Sequence, residues 1–351
     1  MRRTLSALSL LSAALACRSD APLAPTSPPA APRPNAVVLP ASAYTASYFK
    51  PAGGFRDVNG RNLIVGTAGR NAVAMVLGGP LTPLPNGRGR ASTAEAVNER
   101  GEIVGSIELG AAQPPVTLPA FWGRVGAPPV YLRQPGVASD INDQGDVVGT
   151  ITTPQGFGKA FVWNPGTGAF DWLPPLSGGT NTTARAINND RVVLGWSDTN
   201  GGIGGGTVLW QYNGSAWTVW QITSSASDII GYDIDGGYGI VGHTMQVASY
   251  GDPFHAGYFN VSSVGRSYAT AVTGRRVVTG WDEGVLPPGV PQSYGFGTAF
   301  VADRSGATTY LPYPVGNWTA SAGYGLNDCG LVVGEVWTQS GWYPAVWDPG
   351  C

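Results

Sequence analysis

Charge is scarce in this chain. Only 12% of its 351 residues are Asp, Glu, Lys or Arg, about half the usual ~25%. A net charge of −2 offers no polybasic footprint for nucleic acid. No apolar run is long enough to cross a membrane as a helix, since the longest, from Leu5 to Leu15, stops well short. Nucleophile-elbow, phosphate-loop and zinc-protease helix motifs are all missing. What is present in excess is Gly, with 52 residues, and Pro, with 29, a density that would break helices throughout and excludes a helical bundle. An apolar content of 43%, with 12 Trp, 14 Tyr and 10 Phe, excludes a wholly disordered chain and supplies a core.

The first 35 residues read as an address and a tether. Arg2 and Arg3 precede the uncharged apolar stretch, and Ala14-Leu15-Ala16 is a small-residue cleavage site, so residues 1–16 have the layout of a secretory signal peptide. Cys17 follows at once. Ala-Leu-Ala-Cys resembles the bacterial lipobox, which implies acylation of Cys17; ordinary signal-peptidase cleavage ahead of a Cys is the other reading. Three Cys is an odd number for an exported chain, and lipidating Cys17 leaves Cys329 and Cys351 able to pair. Within residues 17–35, the Pro- and Ala-rich run from 18 onward suits an extended spacer. Residues 36–351 form the head.

The head is one unit repeated seven times. The clearest copies are AEAVNERGEIVG (94–105), ASDINDQGDVVG (138–149), ARAINNDRVVLG (184–195) and GYGLNDCGLVVG (323–334). FRDVNGRNLIVG (55–66), GYDIDGGYGIVG (231–242) and ATAVTGRRVVTG (269–280) complete the set. The closing Gly recurs at intervals of 38 to 54 residues, whereas the turn residue (Asn59, Asn98, Asn142, Asn188, Asp235, Thr273, Asn327) always lies seven before it. A fixed inner spacing with a variable outer one means a rigid motif joined by free loops. Asn tolerates left-handed backbone and Gly supplies positive φ, so the motif is a tight bulged hairpin with a β-branched return strand. A second signature follows each copy: AMVL (74–77), AFW (120–122), AFVW (160–163), VLW (208–210), AGYF (256–259), AFVA (299–302) and AVW (345–347). These are expected third strands. Fourth strands are expected around 130–132, 170–176, 217–222 and 308–313.

Four short strands in about 45 residues, repeated, is the pattern of a β-propeller blade, and the fold class expected is all-β, with seven four-stranded blades. A β-solenoid, the rival, has shorter repeats and no paired hairpin turns. The seventh copy ends after its third strand. Ala43–Phe49 would supply the fourth and close the ring; Val37-Val38-Leu39 is the alternative. Fusion of the fifth and sixth copies would leave six blades.

ARAINNDRVVLG, ASDINDQGDVVG, GKAFVWNPGTG and LPPLSGG together resemble the bacterial extracellular HAF repeat, over about 55–351. The resemblance implies export and a repeat architecture, and it implies no defined activity. The fifth and sixth copies depart from it at Asp235 and Thr273.

Function is expected on the face carrying the variable second-to-third loops, at 106–119, 150–159, 196–207, 243–255, 281–298 and 335–344. Trp196, Trp281, Trp337, Trp342, Tyr250 and Tyr294 open or line them, and flat rings among polar groups suit a glycan; capping of blade interfaces is the plainer role for such rings. His243 and His255, with Asp252 between them, could meet around a metal, although no third ligand is fixed by spacing. Asp233-Ile234-Asp235-Gly236 lacks the further ligands of a calcium loop and reads as a turn. Asp228, Asp282 and Glu283 are the acidic residues that a glycosidase or lyase would use. Cys329, in the last Asn turn, and Cys351, beyond the last third strand, fall on one face and are expected to form a disulfide. The expected function is a non-catalytic binding or scaffolding module for a glycan or an envelope protein, with a carbohydrate-active enzyme as the alternative. No cofactor and no nucleic acid are expected, the lipid anchor is the only membrane contact, and the state is a monomer.

Overall fold

In a computed structural model, residues 38–110, 115–199, 204–222, 230–244, 247–252, 257–260, 266–283, 285, 297–303 and 305–351 are described. They build seven four-stranded antiparallel sheets and a single 3₁₀ turn at Ala41–Ala43. The fold is a seven-bladed β-propeller. The innermost strands are Gly53–Val58, Ala91–Val97, Gly136–Ile141, Thr182–Ile187, Ile230–Ile234, Ser267–Val272 and Ala320–Leu326. The second strands, in the same order, are Leu63–Ala68, Ile103–Leu109, Val147–Thr152, Val192–Asp198, Ile240–Thr244, Val277–Asp282 and Val332–Thr338.

The ring closes with strands from both ends of the chain. Thr45–Tyr48 pairs with the third strand of blade seven, Gly341–Asp348, from Thr45 opposite Asp348 to Tyr48 opposite Ala345. The alternative closing segment does not serve: Val38 and Leu39 pack against the blade-seven core outside any strand, and Val37 lies outside the described residues. Cys329 and Cys351 are joined by a disulfide in the same blade, with Cα atoms 6.1 Å apart.

The Asn turn explains both the repeat and the ring. In every blade the turn side chain accepts the backbone N–H groups two and four residues on. Asn98 Oδ1, for example, takes those of Arg100 and Glu102. Asp235 and Thr273 do the same with a carboxylate and a hydroxyl oxygen. The residue three after the turn residue has positive φ: Gly101, Gly145 and Gly330 in three blades, and Asn62, Arg191, Tyr238 and Arg276 in the others. The amide has a second use. Asn59, Asn98, Asn142 and Asn188 each donate Nδ2–H to the carbonyl of the turn residue in the next blade, and Asn327 donates back to Asn59 across the closure. All seven turn residues are buried. Asp has no N–H to give, so at Asp235 only the first function survives.

The closing Gly has an equally local cause. Just ahead of each turn the first strand carries a β-bulge, at Arg56, Glu95, Ser139, Arg185, Tyr232, Thr270 and Tyr324. The bulge brings a first-strand carbonyl over the second strand. A Cβ on Gly105, Gly149 or Gly195 would collide with the carbonyl oxygen of Thr93, Val137 or Thr183.

The core lies between blades. Phe55, Ile64 and Met75 of blade one meet Leu331, Val333 and Val346 of blade seven. Trp122, Trp210 and Trp347 lie fully buried at or near the ends of three of the third strands, and each donates its indole N–H at 2.7 Å to a Pro carbonyl of the preceding blade's exit segment: Pro85, Pro174 and Pro312. The Leu before each of these Pro residues is buried in the same interface. Blade five departs from expectation. Its third strand is Val247–Asp252, and AGYF contributes to the fourth, Gly257–Asn260. The cause is visible in the register. Trp122, Trp163, Trp210 and Trp347 oppose Ile103, Val147, Val193 and Val332, and the matching position opposite Ile240 holds Gly251.

Asn142→Asp keeps the turn and deletes one inter-blade donor, with an expected loss of about 1–3 kcal/mol by urea unfolding. Asp235→Asn restores the amide and is expected to raise the unfolding midpoint.

Candidate functional site

The seven turns surround a funnel of about 700 Å³ at one end of the propeller axis. Along blades one to four its rim carries a second chain of inter-blade links. The N–H of Gly60 donates to Glu99, that of Glu99 to Asp143, and that of Asp143 to Asn189. These acidic residues already serve as acceptors for the neighbouring blade, so the constant face is knitted together by its own polar groups.

Inside the mouth, two residues before the turn residue, stand Asp57, Asp140 and Asp233 of blades one, three and five. One oxygen of each accepts the next residue's N–H. The other accepts the N–H of Val97, Ile187 or Val272 in the following blade. Ala96, Ala186 and Ala271 occupy this column in the following blades, and a small side chain leaves room for the reaching carboxylate. Burial pushes Asp57 up to about 6 and Asp233 up to about 7, against the pull of their amide donors. Asp140 is raised well above the carboxylate range by burial and by the charges of Asp233 and Asp57.

Farther from the turns two groups of side chains span adjacent blades. In blades seven and one, the Arg56 guanidinium lies 4.6 Å from the Tyr324 ring centre, and the Tyr324 hydroxyl donates to Glu335 at 2.8 Å. Burial raises the Glu335 carboxyl, and Arg56 pulls it back. On the side of blades four to six stands a row of rings. Tyr232 stacks on His243 at 5.6 Å and 29°. His243 meets Tyr268 edge-on at 4.8 Å. Tyr268 stacks on Trp281 at 4.3 Å and 20°. Arg185 crowns the row, 5.1 Å above Tyr232. All four rings are half-buried and Arg185 is exposed. Val137, in the same inner-strand column as Tyr268, is 42% exposed, as a residue facing an open channel would be. Burial, then the charge of Arg185, holds His243 below its ordinary value and hence neutral.

The structure relocates most of the residues chosen from sequence. Both strands run past the closing Gly, so Trp196, Trp281, Trp337 and Trp342 lie in strands instead of loops. Trp281 and His243 come together in the ring row. Trp196 is half-buried opposite Thr183 in blade four. Trp337 opposes Trp342 in blade seven, where Trp342 is 55% exposed. Tyr250 is not a surface residue: it is 3% exposed in an inter-blade core, its hydroxyl 3.4 Å from Asp235. Asp282 is fully buried and accepts the Tyr310 hydroxyl, so it is not presented to a substrate. Glu283 follows it at the strand end. Asp252 ends the third strand of blade five, so 243–255 is mostly strand. Cys17, Asp228, His255 and Tyr294 lie outside the described residues. Sequence reasoning missed Arg185, Tyr232 and Tyr268. Their signal was positional: they lie three or five residues before a turn residue, and aligning the seven copies exposes that column.

No protein-family model matches the chain, and no curated protein does. Solved structures of similar shape include a puromycin hydrolase (TM-score 0.53, 13% identity, covering 85% of this chain and 52% of that one). A Pyrococcus horikoshii acylaminoacyl peptidase aligns at TM-score 0.47 and 10% identity, over 75% of this chain and 46% of that one. A Xanthomonas campestris gluconolactonase aligns at TM-score 0.41 and 10% identity, over 90% and 98%. The chain spans about half the length of the first two. At such identities the likeness concerns fold alone.

The buried carboxyls make stability depend on pH. Their folded pKa values lie above the unfolded 3.8, so the folded state holds these protons more tightly. The stabilisation is complete at low pH and lost as pH rises through about 6 to 7. His243 is shifted down from 6.5 and acts in the opposite sense. The three carboxyls outweigh one imidazole, so the urea midpoint is expected to fall between pH 5 and pH 7.5. Asp140→Asn should flatten that slope.

Proposed function

We propose that the chain is an exported, surface-tethered propeller that binds a glycan without transforming it. The observation that carries the reading is the row Tyr232–His243–Tyr268–Trp281. Four half-buried rings packed in a row across blades five and six, beside an exposed guanidinium, leave partly open aromatic surface against which sugars can lie. Rings on strands are fixed by the ladder and are organised before the ligand arrives. The HAF-repeat resemblance and residues 1–16 support export. Ala-Leu-Ala-Cys supports a lipid on Cys17, with the Pro/Ala-rich spacer holding the ring off a bacterial envelope. Among the described residues no helix is long and apolar enough to cross a membrane, and the lipid is the membrane contact in this reading. The protein acts as a monomer.

A glycan array probed with residues 36–351, followed by mass spectrometry of the bound sugars, tests the reading. Saturable binding without product is expected. Trp281→Ala and Tyr268→Ala should each weaken it roughly tenfold. Released product, or binding untouched by both substitutions, overturns it. Metabolic labelling with a palmitate analogue is expected to mark the full chain and not its Cys17→Ser variant.

A further inference from the structure

Asn-Gly pairs stand at Asn59, Asn86, Asn200 and Asn213. Such a pair is chemically unstable, because Gly has no side chain to keep its backbone nitrogen away from the amide carbon of the preceding Asn. Asn200 lies outside the described residues. The fold treats the other three differently. Asn59 is buried in the turn column. Its Oδ1 takes the N–H groups of Arg61 and Leu63, its Nδ2 donates to the Asn98 carbonyl, and the Gly60 N–H is held by Glu99 at 2.6 Å. Both the carbon and the nitrogen that would join are thus fixed by partners. Asn213 is exposed, yet its Oδ1 takes the N–H and O–H of Ser215 and the N–H of Ala216. Asn86 has neither kind of restraint. It lies in the segment joining blades one and two, in a turn closed by the Gly89 N–H on its carbonyl at 2.8 Å. Among the described residues its side chain makes no hydrogen bond, and the Gly87 N–H has no acceptor. Gly87 is exposed, at a φ of 59° that glycine adopts without strain.

We infer that Asn86-Gly87 is a self-modification site, at which the folded protein converts an amide to an acid with water alone. The Gly87 nitrogen gives its proton to base and bonds to Asn86 Cγ. The Cγ–Nδ2 bond breaks, and the departing nitrogen takes up a proton and leaves as ammonia, closing a succinimide. Water then opens the ring at either carbonyl, to aspartate or to isoaspartate. The net change is gain of water and loss of ammonia. In the isoaspartyl product the main chain runs through the former side-chain carbon and is one methylene longer. Asn86 directly follows Pro85, whose carbonyl holds the Trp122 indole N–H, so the added length falls at the joint between blades one and two.

The test is incubation of the full chain, folded and in urea, at mildly alkaline pH in heavy-oxygen water. Cleavage at Arg61, Arg88 and Arg191 puts the three sites in separate peptides for tandem mass spectrometry. In the folded protein Asn86 is expected to take up label roughly tenfold faster than Asn59 or Asn213, each of which has hydrogen bonds to break first. In urea the three sites should react at similar rates. Asn86→Gln, whose longer side chain would close a larger ring, should lose the fast event. The ranking is read within one protein, so a variant that fails to fold cannot decide it. Equal rates at the three sites in the folded protein, or no label at Asn86, overturn the inference. So does a lead of Asn86 that persists in urea, since the neighbouring residues and not the fold would then set the order. Label at Asn86 without isoaspartate overturns the succinimide route.

Discussion

The whole architecture depends on a side-chain amide that acts in two directions. Every backbone ladder is internal to one sheet, and apart from isolated backbone bonds such as Ser92 N–H to the Arg70 carbonyl and Ser321 N–H to the Gly297 carbonyl, the described contacts between blades involve side chains. Something must therefore set the spacing and tilt between sheets. The Asn Oδ1 folds its own hairpin by taking two N–H groups, and the Nδ2 then reports that hairpin's position to the next. Because the acceptor is the equivalent carbonyl in the following blade, the link repeats under rotation. Asn is the residue for this column because it carries both a donor and two lone pairs on one short, planar group. The carboxyls of blades one, three and five and the indole–Pro bonds add further inter-blade links, at the inner edge and farther out.

The channel is divided by polarity along its length. Near the turns it is lined by carboxyls that satisfy the backbone of adjacent blades. Farther along, one side carries the internally neutralised Arg56–Tyr324–Glu335 group. The other carries the packed rings and Arg185, which makes no ion pair among the described residues. The site proposed for ligand thus lies where the wall's polar groups are least occupied with one another. Blades five and six, which supply the four rings, are also those in which Asp235 and Thr273 replace Asn.

Much of this was legible in the residues. The turn, the closing Gly, the blade number, the Ala43–Phe49 closure and the Cys329–Cys351 pair follow from a period and from local backbone chemistry. Blade five misled because Gly251 removes the ring that marks a third strand elsewhere, and the aromatic pair of the next strand took its place in the reading. The loops misled because Ser106 to Leu109 and its counterparts continue the ladder past the Gly, and strand length is set by cross-strand pairing that no local signal announces. Tyr250 and Asp282 looked available beside variable segments, yet the partners that bury them, Asp235 and Tyr310, lie 15 and 28 residues away. The ring row was hidden because its members come from four strands and meet only when two blades stand side by side.

The closing strand also fixes how the molecule bears load. A pull from the residues ahead of Thr45 enters the ring through four ladder positions against Ala345–Asp348. At the last of them Tyr48 lies against Trp318 and Tyr343, and just past it Phe49 lies against Phe55. The rings act as a cleat beyond the knot: the strand cannot slide along its partner without dragging aromatic side chains out of their neighbours. Cys351 ties the far end of that partner segment to the turn at Cys329. A pull from that end is therefore shared by blades seven and one.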